Sequence, residues 1–341
     1  MIAVSTARAT EVLRKAASAE VAVIGDVMLD RYFWGQVSRV SPEAPVPVVD
    51  VDEETFHLGG AANVAANLLS LDVRPLLCGV IGDDSSGRML AQIARESGLS
   101  DDGLLVAPNR PTTVKTRVIG NNQQIVRLDR ETREDVDAGT SDRLLELLRS
   151  RPSLAGIILE DYDKGVLSTA VIQRVIGFAQ ERGIPVLVDP KYRNFWSYQG
   201  AWLVKPNRKE AEEALGRSLR SVDEIRQAGS ELLARLQAAN VLITLGSAGM
   251  MLVEHDGQVS TVPTVARHVA DVSGAGDTAI ATLAAVVAGG ANVREAAALA
   301  NVAAGVVVAE PGIVTITTER LLQAIAEGDA TTSQDSDDAN A

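Results

Sequence analysis

The sequence predicts an α/β fold in which helices cover both faces of a mostly parallel central sheet. With 341 residues, of which 46% are hydrophobic, the chain is long enough to bury a large core. Short apolar runs typical of buried strands alternate with longer patterns that have helical spacing. Glycines and polar residues come directly after several of these runs, where an open parallel sheet places its ligands. No repeat or linker indicates a second domain, so we expect one domain over residues 1–325.

The strands and helices follow from this periodicity in chain order. The apolar runs predict strands at 21–25, 74–80, 156–159, 185–188, 202–204 and 241–245. Helical spacing between them predicts helices such as 88–96 and 168–181. Because a strand followed by a crossover helix returns in the same direction, the strands should run parallel.

Two segments interrupt the alternation and predict a small separate sheet. Residues 31–56 contain three prolines, and residues 112–130 hold Asn121 and Asn122 between two β-rich runs. Both patterns favour strands without crossover helices. We expect them to form a lid over the ligand site. Exposed sheet edges tend to pair, so we also expect a homodimer through the lid sheets.

Composition excludes several classes of protein. A formal net charge of −13 argues against a nucleic-acid partner, which usually requires a basic face. The single cysteine, Cys78, lies in an apolar run and favours a reducing compartment. No apolar run is long enough to span a membrane, and the N-terminus lacks a secretory pattern, so we expect a cytoplasmic protein. Residues 326–341 are small, polar and acidic, which predicts a disordered tail.

The run from Asp271 to Thr278 carries the strongest chemical signal. Gly274, Ala275 and Gly276 precede Asp277 at the start of a long apolar helix. Their backbone amides and the helix dipole would hold the charge of a migrating phosphoryl group. Asp277 would accept the proton of the attacking hydroxyl, as a catalytic base. The alternative is a tight turn with an aspartate at a helix start.

Two further runs are candidates for sugar binding. Asp30 follows the first strand, where its carboxylate would bind a substrate hydroxyl; the alternative is an aspartate in a solvated turn. Gly59, Gly60 and Asn63 open a small-residue helix whose end a ligand can approach closely. Close packing of that helix on the sheet is the competing interpretation.

Charged loops after strands are candidates for contacts to hydroxyls and phosphate. Asp161, Lys164 and Lys191 lie in such loops, which are otherwise simply solvated. Lys and Arg crowd the lid and strand-end segments of this acidic chain, and two or three of them would clamp an anionic substrate. The set comprises Arg31, Arg39, Lys115, Arg117, Arg127, Lys164, Lys191 and Arg193.

Other runs are candidates for the nucleotide and its metal. The first is a helix start, with Asn207, Arg208, Lys209 and Glu210. Asn207 and Glu210 are three apart and share a face, and their oxygens suit Mg²⁺ bound through water; a capping box is the alternative, and both can hold. The second is a glycine turn with Thr244, Gly246 and Gly249, to which we add Asn301 on a later helix. Neither a Walker sequence nor the dinucleotide-binding glycine pattern occurs.

Taken in order, these runs resemble the PfkB or ribokinase-like carbohydrate kinases over residues 20–325. The resemblance implies a ribokinase-like fold that uses ATP and Mg²⁺. It implies that Asp277 is the base, residues 274–276 the anion hole, and Thr244 to Gly249 part of the ATP site. Asn207 and Glu210 would form the phosphate and Mg²⁺ region. Asp271 and Ser273 match positions that help to bind a monovalent cation such as K⁺ in relatives, although Val272 stands where a threonine is common.

Within that family, three runs are similar to bacterial kinases of D-glycero-β-D-manno-heptose 7-phosphate: 25–32, 38–48 and 161–165. The resemblance implies phosphorylation of the anomeric 1-hydroxyl to the 1,7-bisphosphate, for ADP-heptose and lipopolysaccharide core synthesis. Many such kinases are fused to a cytidylyltransferase; here we expect the kinase-only form. The alternatives are a kinase of the same fold for ribose, fructose, fructose phosphate or a nucleoside, and a non-catalytic binding protein.

Overall fold

The computed structural model describes residues 4–264 and 269–338, with side chains described as far as residue 328. The described strands are β1 (Glu20–Gly25), β2 (Val27–Val40), β3 (Pro47–Gly60), β4 (Arg74–Gly82), β5 (Leu104–Ala107), β6 (Val114–Gly120), β7 (Gln123–Arg130), β8 (Leu154–Glu160), β9 (Val186–Asp189), β10 (Leu203–Val204), β11 (Asn240–Thr244), β12 (Met250–Glu254) and β13 (Val259–Val262). The described helices are α1 (Thr6–Ala16), α2 (Ala61–Ser70), α3 (Ser85–Glu96), α4 (Ala138–Arg149), α5 (Thr169–Arg182), α6 (Arg208–Leu215), α7 (Val222–Leu236), α8 (Ala275–Ala288), α9 (Val293–Val307) and α10 (Thr318–Asp338).

The central sheet has the order β13-β12-β11-β10-β9-β8-β1-β4-β5. Its strands run parallel from β11 to β5, and β12 and β13 add an antiparallel edge. Each of the predicted strands lies in the parallel part, so the predicted α/β architecture is confirmed. The sequence interpretation missed β5, β12 and β13, which are short strands at the two edges.

Two separate cores lie on the two faces of this sheet. In β1, Val21 and Val23 face α1, α2, α8 and α9, whereas Ala22 and Ile24 face α4, α5 and α7. This alternation follows from the period of two in a strand. Because both faces are buried, the strands are apolar throughout, and their carboxyl ends are fixed relative to one another.

The predicted lid is confirmed as a four-stranded sheet with the order β3-β2-β6-β7. It begins at Val27 and not at residue 31, because the apolar residues Val27, Met28 and Leu29 continue the chain directly from β1 into β2. β3 in turn ends at Gly60, immediately before α2. The lid is therefore joined directly to β1 and to α2; its own strand β2 carries Asp30, and α2 carries Asn63.

The last helix, α10, enters the C-terminal segment 326–341, for which the sequence predicts disorder. The helix continues to Asp338, and within this segment only 339–341 lie outside the described residues; the disorder of the tail stays a prediction. The segment contains no proline and a single glycine, so nothing in its sequence interrupts a helix that has already started. Throughout the part of the chain that the structure describes, every helix is too short or too polar to cross a bilayer.

Candidate active site

The candidate site lies where the carboxyl ends of β1, β8, β9 and β10 meet the first turns of α2, α6 and α8. Parallel strands bring these ends to one edge of the sheet, which is where the positions of the sequence motifs predicted a ligand site. Residues that are distant in the chain therefore meet around one carboxylate, that of Asp277.

Asp277 lies in the first turn of α8, which begins after Gly274 in a left-handed conformation with φ of 78°. The residue is only 7% exposed. Its Oδ2 accepts a hydrogen bond from Asn63 Nδ2 at 2.7 Å, and its Oδ1 accepts one from the Tyr162 hydroxyl at 3.0 Å. Burial raises the pKa of Asp277 to about 6, although these two hydrogen bonds act to lower it. A carboxylate with such a pKa is suited to accepting a proton near neutral pH.

Three buried charged residues that were not among the predicted site residues surround this carboxylate. Lys205 Nζ lies 2.7 Å from Asp189 Oδ2. Oε2 of Glu160 has no hydrogen-bond partner within the described residues. Burial and then the charges of Asp189 and Asp277 raise the pKa of Glu160 well above its usual range. The available signal was that each of these charges ends or directly follows a buried apolar strand.

The two glycines before α2 have a packing role, whereas Asn63 faces Asp277. A Cβ atom at Gly59 would lie 2.3 Å from Oδ2 of Asp30. At Gly60, which has a φ of 60°, it would lie 2.3 Å from the carbonyl oxygen of Asp26. Asp30 itself is buried and forms an ion pair with Arg117 of the lid, Nη1 to Oδ1 at 2.5 Å. Close packing therefore explains the glycines, and their contact with substrate stays a prediction.

Asp161 and Lys164, predicted to bind substrate, are engaged inside the protein. The carboxylate of Asp161 accepts hydrogen bonds from the Tyr198 hydroxyl at 2.6 Å and from the backbone N–H of Asp163 at 2.8 Å. Lys164 Nζ lies 2.8 Å from Glu131 Oε2. Burial raises the pKa of Asp161 to about 6. Its hydrogen-bond partner Tyr198 belongs to the core that faces α4, α5 and α7. Sequence patterns did not reveal the side-chain partners Tyr198 and Glu131, because each lies more than 30 residues away along the chain.

Of the eight basic residues singled out in the sequence, seven form ion pairs: Arg31–Glu54, Arg39–Asp50, Arg117–Asp30, Arg127–Asp129, Lys164–Glu131, Lys191–Glu210 and Arg193–Asp135. The eighth residue, Lys115, forms no ion pair within the described part of the chain. Its Nζ lies 5.2 Å from the centre of the Tyr162 ring, and Lys191 Nζ lies 5.4 Å from the same ring. Lys115 and Lys191 therefore both approach the residue that contacts Asp277.

A cavity of about 320 Å³ opens beside the start of α8. The predicted nucleotide residues Thr244, Gly246, Gly249 and Asn301 line it, together with Ala275 and Gly276 of the glycine run. Arg208 and Lys209 do not line it. They pair with Glu212 and Glu213 along α6, at 3.4 Å and 3.8 Å. Their spacing of four residues on a helix favours these local pairs.

Asn207 and Glu210 form the capping box that the sequence left open. The Asn207 side chain accepts from the Glu210 N–H at 2.9 Å, and the Glu210 side chain accepts from the Asn207 N–H at 2.8 Å. The other oxygen of Glu210 is paired with Lys191. Among the described residues, His, Cys, Asp and Glu form no cluster of three or more that would hold a metal unaided. The site fits Mg²⁺ held mainly by nucleotide phosphates and water, with the unpartnered oxygen of Glu160 as a further acceptor.

The predicted cation residues contact each other. Oδ1 of Asp271 accepts a hydrogen bond from the backbone N–H of Ser273 at 2.9 Å. This turn explains the pairing of the two residues without an ion, so a monovalent cation there stays a prediction.

Comparison with known proteins identifies the family of this chain. The model of the pfkB family carbohydrate kinases matches residues 18–320. Bifunctional protein HldE of Geobacter sulfurreducens is 44% identical over 313 residues, which are 90% of this chain and 64% of that protein. This chain therefore spans less than two thirds of that relative's length.

Solved structures show the same fold. The tetrameric inhibited form of phosphofructokinase-2 from Escherichia coli has a TM-score of 0.74 at 18% identity, covering 91% of this chain and 98% of that one. Ribokinase of Arabidopsis thaliana, complexed with ribose and ATP, has a TM-score of 0.71 at 21% identity, covering 90% and 98%. The predicted ribokinase-like fold is thus confirmed, and because the family match extends over most of its length, this chain belongs to the pfkB family of carbohydrate kinases.

Proposed function

We propose that the chain transfers the γ-phosphoryl group of ATP to the 1-hydroxyl of D-glycero-β-D-manno-heptose 7-phosphate. The products would be the 1,7-bisphosphate and ADP, for ADP-heptose and lipopolysaccharide core synthesis. The observation that supports this reaction most directly is the buried carboxylate of Asp277, which stands beside the glycine-lined end of the nucleotide cavity. The heptose assignment rests on the sequence runs 25–32, 38–48 and 161–165.

In the proposed reaction the 1-hydroxyl oxygen attacks the γ-phosphorus, and the bond to the bridging oxygen of ADP breaks. Asp277 takes the hydroxyl proton. The backbone amides at the start of α8 stabilise the charge that develops on the phosphoryl oxygens. Bound Mg²⁺ would neutralise the phosphates of ATP, and Asn207 and Glu210 would hold it through water.

Charge on the inner face of the lid supports an anionic acceptor. In the register of the lid, Lys115 lies beside Asp30 of β2 and opposite Asp129 of β7. Both carboxylates are taken, however, because Asp30 pairs with Arg117 and Asp129 pairs with Arg127. Lys115 therefore forms no ion pair among the described residues; it is half-buried above the cleft, and this burial lowers its pKa. A phosphate group on the acceptor would pair with the Lys115 ammonium group.

Turnover on a panel of acceptors tests this function. ADP release should be fastest with heptose 7-phosphate, and ³¹P spectra should show a second phosphate on the anomeric carbon. Ribose, fructose, fructose 6-phosphate and a nucleoside serve as competitors. Faster turnover of one of these would replace the heptose assignment, whereas no sugar-stimulated ATP consumption would dismiss the kinase.

Two copies are proposed to pair through their lid sheets. Val126 and Leu128 of β7 are 42% and 57% exposed. They lie opposite Val118 and Thr116, and so on the face of the lid turned away from Lys115. Burying this face against a second copy would remove apolar surface from water. Sedimentation of the parent and of Leu128→Asp tests it: a dimer that becomes a monomer supports the pairing, and a monomeric parent contradicts it.

Two further assignments complete the proposal. We place the reaction in the cytoplasm, because the single thiol, Cys78, is fully buried and suits a reducing compartment. We assign K⁺ as an activating ion near Asp271 and Ser273, on the resemblance alone. Turnover in potassium and sodium buffers of equal ionic strength checks the ion.

A further inference from the structure

We propose that Tyr162 is a positioning residue, which holds the carboxylate of Asp277 in the orientation that accepts a proton from the sugar. The inference rests on the proposed role of Asp277 as the base. It concerns a side chain that lies in the run 161–165 but is not among the site residues predicted from the sequence.

The hydrogen bonds of the base carry this inference. Tyr162 donates to one oxygen of Asp277 at 3.0 Å, and Asn63 donates to the other at 2.7 Å. One donor on each oxygen fixes the rotation of the carboxylate and leaves lone pairs free for the acceptor hydroxyl. Burial, followed by the charges of Asp277 and Glu160, raises the pKa of Tyr162 well above its usual range. The hydroxyl therefore keeps its proton and acts as a donor.

The loop that carries Tyr162 is held rigidly from the end of β1. The buried carboxylate of Asp26 accepts hydrogen bonds from the backbone N–H groups of Tyr162 and Lys164, each at 2.9 Å, and of Val166 at 3.1 Å. Within this loop Gly165 has a φ of 88°, and a Cβ there would lie 2.0 Å from the carbonyl oxygen of Glu134. Asp26 thus positions the tyrosine, and the tyrosine positions the base.

The ring of Tyr162 has a separate set of contacts. Lys115 from the lid and Lys191 from the loop after β9 lie near it at 5.2 Å and 5.4 Å, within range of a cation–π interaction. A phenylalanine keeps the ring and these contacts and removes only the hydroxyl. Tyr162→Phe therefore isolates the hydrogen bond to Asp277.

The pH dependence of kcat for Tyr162→Phe tests the inference, on whichever sugar the parent phosphorylates. Losing a hydrogen bond to a charged group should lower kcat about 10- to 100-fold. It should also move the acid limb of kcat to higher pH, because the hydroxyl stabilises the charged form of the base. KM for the sugar should change little.

Tyr198→Phe is the matched control. It removes a buried hydroxyl that donates to another carboxylate, that of Asp161, at 2.6 Å. The acid limb should stay at the parent's pH in this variant. A Tyr162→Phe variant whose acid limb also stays there would overturn the inference, whatever its kcat, because a purely structural role predicts that result.

Two additional measurements test the roles of Tyr162 and Asp277 separately. If Tyr162→Phe folds poorly, 3-fluorotyrosine introduced at position 162 keeps the side chain and makes it a stronger donor, so the acid limb should move to lower pH; an unmoved limb would contradict the inference. Asp277→Asn separates the two claims. An inactive Asp277→Asn beside a Tyr162→Phe identical to the parent overturns only the role of Tyr162, whereas an active Asp277→Asn overturns the proposed base itself.

Discussion

The side-chain amide of Asn63 donates to Oδ2 of Asp277 over 2.7 Å and thereby joins the first turns of α2 and α8. Both helices follow a glycine with a positive φ, Gly60 at 60° and Gly274 at 78°. The positive ends of two helix dipoles therefore converge on one carboxylate. This convergence places a proton acceptor and main-chain anion donors at the same point, as phosphoryl transfer requires.

The first prediction concerns pH. Turnover should fall as the pH drops through about 6, because burial raises the pKa of Asp277 to about 6 and a protonated carboxyl cannot accept the sugar's proton. A series of kcat values between pH 5 and 9 measures this limb, with stability recorded at each pH. A profile that stays level down to pH 5 would count against the assignment of Asp277.

The second prediction concerns the stability cost of the base. The pKa of Asp277 is raised from an ordinary 3.8 to about 6, so folding favours the protonated form and the charged form destabilises the native state. Protonation of Asp277 therefore stabilises the native state, and this stabilisation is fully present below pH 3.8 and is lost as the pH rises through about 6. Asp277→Asn should therefore raise the free energy of unfolding by about 1 to 3 kcal/mol at pH 8.

The gain in the free energy of unfolding of Asp277→Asn should shrink as the pH falls through 6, because the parent carboxyl then becomes neutral as well. Urea unfolding at pH 8 and pH 5 measures it, with the exposed Asp102→Asn as a control that should show neither effect. A destabilised Asp277→Asn at pH 8 would show that the charge is not costly.

The third prediction separates an anion hole from a simple turn. A Cβ at Gly276 would approach nothing in the protein more closely than 3.7 Å, where Asp189 Oδ2 and Lys205 Nζ lie. Gly276→Ala should therefore fold normally. Its methyl group would nevertheless displace the phosphoryl group and reduce kcat/KM for ATP by about 10²-fold.

Steady-state kinetics and thermal unfolding of Gly276→Ala provide the measurement. Gly274→Ala is the contrasting variant, since its φ of 78° should cost about 1 to 2 kcal/mol of stability. Parent-like kinetics for Gly276→Ala would favour the simple turn.

The fourth prediction concerns the acceptor's phosphate. Lys115→Met should raise KM for heptose 7-phosphate about 10- to 100-fold, because a charge-assisted hydrogen bond to phosphate is lost. The effect should be absent with a neutral sugar. Lys15→Met, on the exposed face of α1, is the control. An equal loss on phosphorylated and neutral acceptors would assign Lys115 to the lid's structure.

The sequence was sufficient for features whose chemistry lies in neighbouring residues. The glycines before Asp277, the capping pair Asn207 and Glu210, and the apolar strands all follow from local geometry. The contact of Tyr162 with Asp277 could not be predicted, because it joins residues 115 positions apart through the packing of a loop on a helix.

Charge pairing in the lid was equally hidden from the sequence. Composition indicated that basic residues gather there, but diagonal and same-strand side-chain contacts decide which of them are neutralised. The register of β6 with β2 and β7 places Lys115 between Asp30 and Asp129. Arg117, which lies opposite Tyr32, nevertheless reaches diagonally to Asp30, and Asp129 pairs with Arg127 of its own strand. A shift by one residue would have reversed the inner and outer faces of the strand.

Turnover of Asp277→Asn, measured beside its binding of ATP and sugar, is the most direct test of the proposed base. Calorimetry should show both ligands binding as in the parent, while rapid-quench single turnover should be slower by about 10² to 10⁴. A variant that binds both ligands and transfers phosphate at the parent's rate would contradict the proposed chemistry.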